Sequence, residues 1–204
     1  MDPNIKLEPN PDGNEGNRSN SFTKLLRELQ FLTNSTWPDI TFAVNQLAAY
    51  TANPSLQHIT ALKQILQYLA GTKNLGITYS KASSNPNIFH RFADAAFANH
   101  NDHKLTSGYV FSAAGGAITW KSKKQTTIAL STTQAEYVAL SEAAHKACWL
   151  QNLFDELGYP QENPMLIKGD NDGSISMAKT QQVHNQSNIL LSDGIGLEKL
   201  LSKS

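Results

Sequence analysis

Three carboxylates, Asp94, Glu136 and Asp170, sit where a fold could bring acidic side chains together from distant positions. Asp94 ends the run Ile88-Phe89-His90-Arg91-Phe92-Ala93, and Asp170 follows Met165-Leu166-Ile167-Lys168-Gly169; both runs read as short strands. Glu136 opens a long helical pattern. Carboxylate oxygens suit magnesium, a hard cation that binds through one or two protein carboxylates together with substrate phosphates. An Asp/Glu/Asp set therefore points to metal-assisted cleavage of a phosphodiester. Each residue also has a plainer reading. Thr133 and Glu136 stand three apart, as in a capping box, and Asp170-Asn171 ahead of a helix can be an N-cap or turn pair. Asp94 is harder to dismiss, because the end of a buried strand is a poor place for a lone carboxylate.

The elements that must position these groups follow from periodicity. Residues 1–20 are rich in Asn, Pro, Gly, Asp and Glu and read as a disordered arm, since so few apolar side chains cannot offset the entropy of ordering. Ordered structure is expected from Ser21. Leu25, Leu29 and Leu32 share one helical face, with Leu26 beside them. Pro38 sits at a helix start, followed at helical spacing by Ile40, Ala43, Val44, Leu47 and Ala48. A third helix opens at Asn53-Pro54, with Ile59, Leu62, Leu66 and Leu69 inward and Gly71 as its stop. This small helical segment, residues 21–80, carries no catalytic grouping.

Residues 81–87 form a Ser/Asn/Pro linker, after which the pattern turns to strands. The first ends at Asp94. Ser107–Phe111 and Ala117–Lys121 flank a hairpin signal that includes Gly115-Gly116. A helix from about Thr133 to Leu157 follows, stopped by Gly158 and Pro160, with Tyr137, Leu140, Ala144, Ala147, Cys148, Leu150 and Phe154 on its inner face. Residues 165–169 make a fourth strand, and Asp172–Lys179 a short helix. Hairpin strands followed by a helical crossover imply an α/β fold with a mixed sheet flanked by helices.

Bulk composition sets looser limits. The 204 residues suffice for one sizeable core or two small ones. Lys plus Arg equals Asp plus Glu at 17 each, so any basic surface must be local. A single cysteine, Cys148, excludes an internal disulfide and a Cys-based zinc site, fits a reducing compartment, and reads as a small buried helix residue. No stretch approaches the roughly 18 apolar residues of a membrane span, and the N-terminus lacks a signal pattern. A soluble, intracellular protein with no membrane partner is expected. Trp120, Trp149 and Tyr109 read as core, and the lysines near Trp120 as a solvated loop.

Several blocks are more specific. Ser107-Gly108-Tyr109-Val110-Phe111, Trp120-Lys121-Ser122-Lys123-Lys124-Gln125, Ala129 to Tyr137 (Ala-Leu-Ser-Thr-Thr-Gln-Ala-Glu-Tyr) and Asp170-Asn171 occur in one order. Together they closely resemble the ribonuclease H domain of copia-type LTR retrotransposon Pol polyproteins. Upstream, Pro38-Asp39-Ile40, Asn53-Pro54, His58 and Tyr68-Leu69-Ala70-Gly71-Thr72-Lys73 resemble the connection segment between reverse transcriptase and ribonuclease H in those polyproteins. The resemblance covers about residues 22–188 and makes residues 86–204 a ribonuclease-H-like domain with a truncated or decayed C-terminus.

The resemblance implies metal-dependent hydrolysis of the RNA strand of an RNA·DNA hybrid. Two Mg2+ (or Mn2+) ions, roughly 3.5–4 Å apart, would activate a water and stabilise the leaving oxygen. Asp94, Glu136 and Asp170 would be both the metal ligands and the catalytic residues. Lys121, Lys123 and Lys124 would contact phosphates, and the hybrid would be recognised by its 2′-hydroxyls and groove shape. A reverse transcriptase domain of the parent polyprotein is the implied protein partner, and a cytoplasmic particle or the nucleus the implied location. The chain departs from the family pattern in three places. Ala96 replaces a second Asp that is not a principal ligand, and Asp172 stands where Gln is usual. After His184, which matches a family position that can aid proton transfer or product release, the fourth metal-binding Asp is Leu191, with Asp193 two residues beyond. The alternative is thus an inactive retroelement remnant that at most binds nucleic acid or protein.

Overall fold

The computed structural model describes residues 7–10, 16–80, 90–96, 105–126, 129, 131–160, 167, 171 and 173–176, with backbone alone for 16–19, 90–92 and 94–96. It contains helices and strands, arranged in two compact units.

The first unit takes in the described residues up to Thr78 together with Lys121–Lys123. It is built on α1 (Gly16–Ser35), a 3-10 turn at Pro38–Ile40, α2 (Thr41–Ala48) and α3 (Leu56–Thr72). Phe22, Leu26, Leu29, Val44, Leu47, Leu62 and Ile65 form its interior. The buried stripe of α1 runs Phe22-Leu26-Leu29, so Leu25 lies outside it, one position around the helix from the face expected. On α3 the inward face is His58, Ala61, Leu62 and Ile65, whereas Leu66, expected inward, is 37% exposed.

α3 opens with a capping box in which His58 takes the part usually played by Glu or Gln, its Nδ1 accepting from the Ser55 amide at 2.9 Å. The His58 ring stacks on Tyr50 with centroids 4.0 Å apart. Burial is the larger effect on its basicity and holds it below the ordinary histidine value; the Glu8 backbone opposes this weakly, since Nε2 has no partner in hydrogen-bonding geometry among the described residues.

The disordered-arm expectation for residues 1–20 needs correction where the arm is described. α1 begins at Gly16, and Leu7 is buried in the helical core. Tyr50 Oη donates to the Leu7 carbonyl at 2.7 Å, and the Asn10 and Asn53 side chains bond at 3.1 Å. These partners lie 43 residues away, beyond what local composition registers.

The second unit comprises Tyr79–Phe97, Lys104–Trp120 and Lys124–Ser204. Its sheet has the order β1-β2-β3, with β1 at His90–Ala96, β2 at Thr106–Ala113 and β3 at Gly116–Lys124. β1 and β2 are antiparallel. β2 and β3 are joined by Ala114-Gly115 with φ of 51° and 86°, the left-handed values that a two-residue type I′ turn requires at both positions. Tyr79 and Ser80 bond to this hairpin through the Ala117 and Ala114 carbonyls. The expected 81–87 linker lies outside the described residues. β1 continues through Ala96 and so does not end at Asp94, because Ala95 and Ala96 still find partners in Ser107 and Thr106.

α4 (Thr132–Glu156) lies on this sheet. Ala143 and Ala147 carry no bulk, so the helix axis can approach Ala93 and Phe111 closely; Leu140 and Leu150 complete the core. The helix ends in a Schellman motif at Gly158, φ 83°: its amide bonds the Asp155 carbonyl, and the Tyr159 amide bonds Phe154 at 2.8 Å. The strands described are antiparallel neighbours; of the expected fourth strand only Ile167 is described, partly buried against the same core. Trp149, expected in the core, is 52% exposed with Lys146 Nζ 3.6 Å from its ring centroid, because the helix turns that position away from the alanine face. Cys148 is half-buried. Among the described residues no helix is long and apolar enough to cross a membrane.

Candidate functional site

Asp94 and Glu136 both belong to the second unit. Glu136 is fixed by where α4 starts. Ser131, extended at φ −148° and ψ 159°, caps the helix, its Oγ accepting from the Gln134 amide at 3.2 Å. The Thr133/Glu136 capping-box expectation is therefore corrected: the cap stands two residues earlier, which puts Gln134 and not Glu136 at the third helical position. It is only 8% exposed, an unusual burial for a carboxylate unless partners or a cation receive it.

Asp94 is a β1 residue whose backbone pairs with Gly108, so no side chain stands directly across the ladder. The next pair is Ala95 with Ser107. Ser107 and the start of α4 are joined by Gln125, just past β3. Gln125 Nε2 donates to Ser107 Oγ at 2.8 Å and to the Ala135 carbonyl at 3.0 Å, and its amide donates to the Leu105 carbonyl at 2.7 Å. The strand paired with Asp94 is thereby tied to the residue preceding Glu136. Sequence reading included Gln125 in a motif but gave it no role; its signal was a long amide directly following a strand and preceding the helix cap.

Asp170 lies outside the described residues, but its neighbours are informative. Asn171 is the N-cap of the helical turn 173–176: its Oδ1 accepts from the Ser174 amide at 2.9 Å and its carbonyl from Ser174 Oγ at 2.8 Å. The capping role considered for the Asp170-Asn171 pair thus falls to Asn171. Gly173 approaches the first turn of α4 so closely that an added Cβ would lie 3.2 Å from Thr133 Cγ2. Ile175 packs against the α4 core. The chain on the C-terminal side of Asp170 is therefore held beside the start of the helix that carries Glu136.

Lys121 and Lys123 are exposed and Lys124 half-buried. All three belong to β3 and so do not form the loop expected for them, the ladder having run four residues past Trp120. Tyr109, half-buried and edge-on to Phe111, has its hydroxyl pushed above the ordinary tyrosine value, first by burial and then by Glu142. His184 and Asp193 lie outside the described residues, as does Leu191. Among the described residues no group of three or more His, Cys, Asp or Glu side chains comes together; the Asp94 side chain and Asp170 are not among them.

No protein-family model and no solved structure matches the chain. Curated relatives do. The chain is 36% identical over 163 residues to the retrovirus-related Pol polyprotein from transposon RE1 of Arabidopsis thaliana, covering 79% of this chain and 11% of that protein. It is 35% identical over 164 residues to that from transposon TNT 1-94 of Nicotiana tabacum, covering 80% and 12%. It is also 39% identical over 122 residues to the secreted RxLR effector protein 161 of Plasmopara viticola, covering 60% of this chain and 85% of that protein. The first two are products of mobile elements. The chain belongs to the retrovirus-related Pol polyproteins of copia-type transposons, and the matched segment spans 11–12% of the length of these two.

Proposed function

We propose that the second unit is a ribonuclease-H-like domain that hydrolyses the RNA strand of RNA·DNA hybrids. The observation that carries this reading is the placement of Glu136: buried, in the second turn of a helix capped by Ser131, and tied through Ala135 and Gln125 to the strand that pairs with Asp94. Family membership and the proximity of Gly173 to Thr133 support it. The donor set fits magnesium, since carboxylate oxygens are the ligands that hard cations select. Asp94, Glu136 and Asp170 would hold the ions. When bound, magnesium supplies a lowered pKa for the attacking water and charge stabilisation at the leaving oxygen. Glu136 and its supports keep a carboxylate oriented in a site sheltered from solvent, Gly108 leaves the ladder open opposite Asp94, and Lys124 of the same unit neutralises substrate phosphate. The hybrid is distinguished by its 2′-hydroxyls and groove shape, and other domains of the parent polyprotein add to its binding surface.

Leu191 in place of a fourth carboxylate favours a second reading, an inactive remnant that binds without turnover. Losing one positioned electrostatic group typically costs about 10²–10³ in rate, which leaves measurable hydrolysis. The test is cleavage of a labelled hybrid with magnesium or manganese, using Asp94→Asn as the control. Metal-dependent cutting of the RNA strand that the control lacks is expected. Hybrid binding without cutting in either protein would establish the remnant instead.

A further inference from the structure

Resting on the ribonuclease H reading, we propose that Gln125 is a positioning residue, an amide clamp that sets the height of Glu136 above the sheet. Its side chain is 4% exposed and donates to two groups at once, Ser107 Oγ on β2 and the Ala135 carbonyl in the first turns of α4. Its backbone is anchored separately, to the Leu105 carbonyl. Residues 107 and 135 are thus fixed to a single side chain and residue 105 to the backbone of the same residue, next to the Asp94–Gly108 pair on one side and to Glu136 on the other.

Orientation of the amide is determined by its partners. A carbonyl such as that of Ala135 can only accept, so the nitrogen must face it. Oε1 is then buried without a hydrogen-bond partner among the described residues. Leaving such an acceptor unsatisfied typically costs about 1–3 kcal/mol, which offsets much of what the two donated bonds contribute to stability. What only a double donor can do here is hold the helix start in register with β2. The Ala135 carbonyl also lies within the helical ladder, so the clamp restrains α4 without replacing its own bonds.

The test uses Gln125→Met, which keeps length and volume and removes both donations, and Ser107→Ala, which removes one acceptor. Amide hydrogen exchange in the full chain is followed residue by residue. Exchange at Ala135, Glu136 and Tyr137 is expected to accelerate at least tenfold in Gln125→Met and less in Ser107→Ala, with Ala143–Leu150 unchanged. In hybrid cleavage, kcat should fall and the half-saturating magnesium concentration rise, with KM for the hybrid unmoved. Unchanged exchange at the helix start, or equal acceleration along all of α4, would overturn the clamp. If Gln125→Met does not fold, Ser107→Ala decides the same question. Absence of cleavage by the unmodified protein would count against the ribonuclease reading alone, because the exchange result stands without metal or substrate.

Discussion

In the helical unit the interior is filled by Phe22, Leu26, Val44, Leu47, Leu62 and Ile65. Its buried threonines and His58 bond close by in sequence, Thr33 to the Gln30 carbonyl, Thr41 to the Trp37 carbonyl and His58 to Ser55, while the Tyr50 hydroxyl reaches 43 residues back to the Leu7 carbonyl. In the second unit the helix–sheet interface is closed by alanines, and Gln125 reaches 18 residues back to Ser107 and 10 forward to Ala135. Buried Glu136, Ser141 and Ser174 belong to the same interior. Polar groups that serve local capping cost a fold little. A buried amide that ties two distant elements at once fixes their register, and in the second unit it does so beside a buried carboxylate.

Four experiments would break or sharpen that contrast. Phe22→Ala should lower stability by about 3–5 kcal/mol, the usual cost of emptying an aromatic position in a core, as read from chemical unfolding followed by the fluorescence of Trp37. Asp94→Asn should cut hybrid cleavage by about 10²–10³ with the unfolding midpoint nearly unchanged, the opposite pattern. Ala143→Leu should destabilise by about 1–3 kcal/mol through overpacking against the sheet, with the loss visible in thermal unfolding. The smallest effect is a pH dependence at His58. Its folded-state value lies below the ordinary 6.5, so the unfolded chain binds the proton more readily. Stability from this group is present above about pH 6.5 and falls as pH drops from there toward the folded value, by at most about 1.4 kcal/mol per pH unit. His58→Gln should flatten that limb of the stability profile.

Much of the second unit was legible in the sequence. The 3.6-residue apolar spacing from Tyr137 to Leu150, the Gly158 stop and the glycine-containing hairpin turn are local signals, and the structure shows each of them. The helix start was less so. Ser131, Thr132 and Thr133 are all competent caps, and which one serves depends on where the chain leaves β3 and Gln125 docks. The same limit explains Leu7, whose burial depends on Tyr50, and α1, where Leu25 and Leu26 are equally apolar and only the neighbouring helices choose between them. The likeness of the sequence to copia-type Pol proteins was visible in short motifs that occur in one order along the chain.

The central claim is that Asp94, Glu136 and Asp170 form a divalent-cation site. Manganese titration followed by electron paramagnetic resonance tests it most directly, on the unmodified chain and on Asp94→Asn, Glu136→Gln and Asp170→Asn singly. Saturable binding that weakens at least tenfold in each variant, with circular dichroism unchanged, is the expected result. Binding that is absent, or equal in all four proteins, would contradict the account.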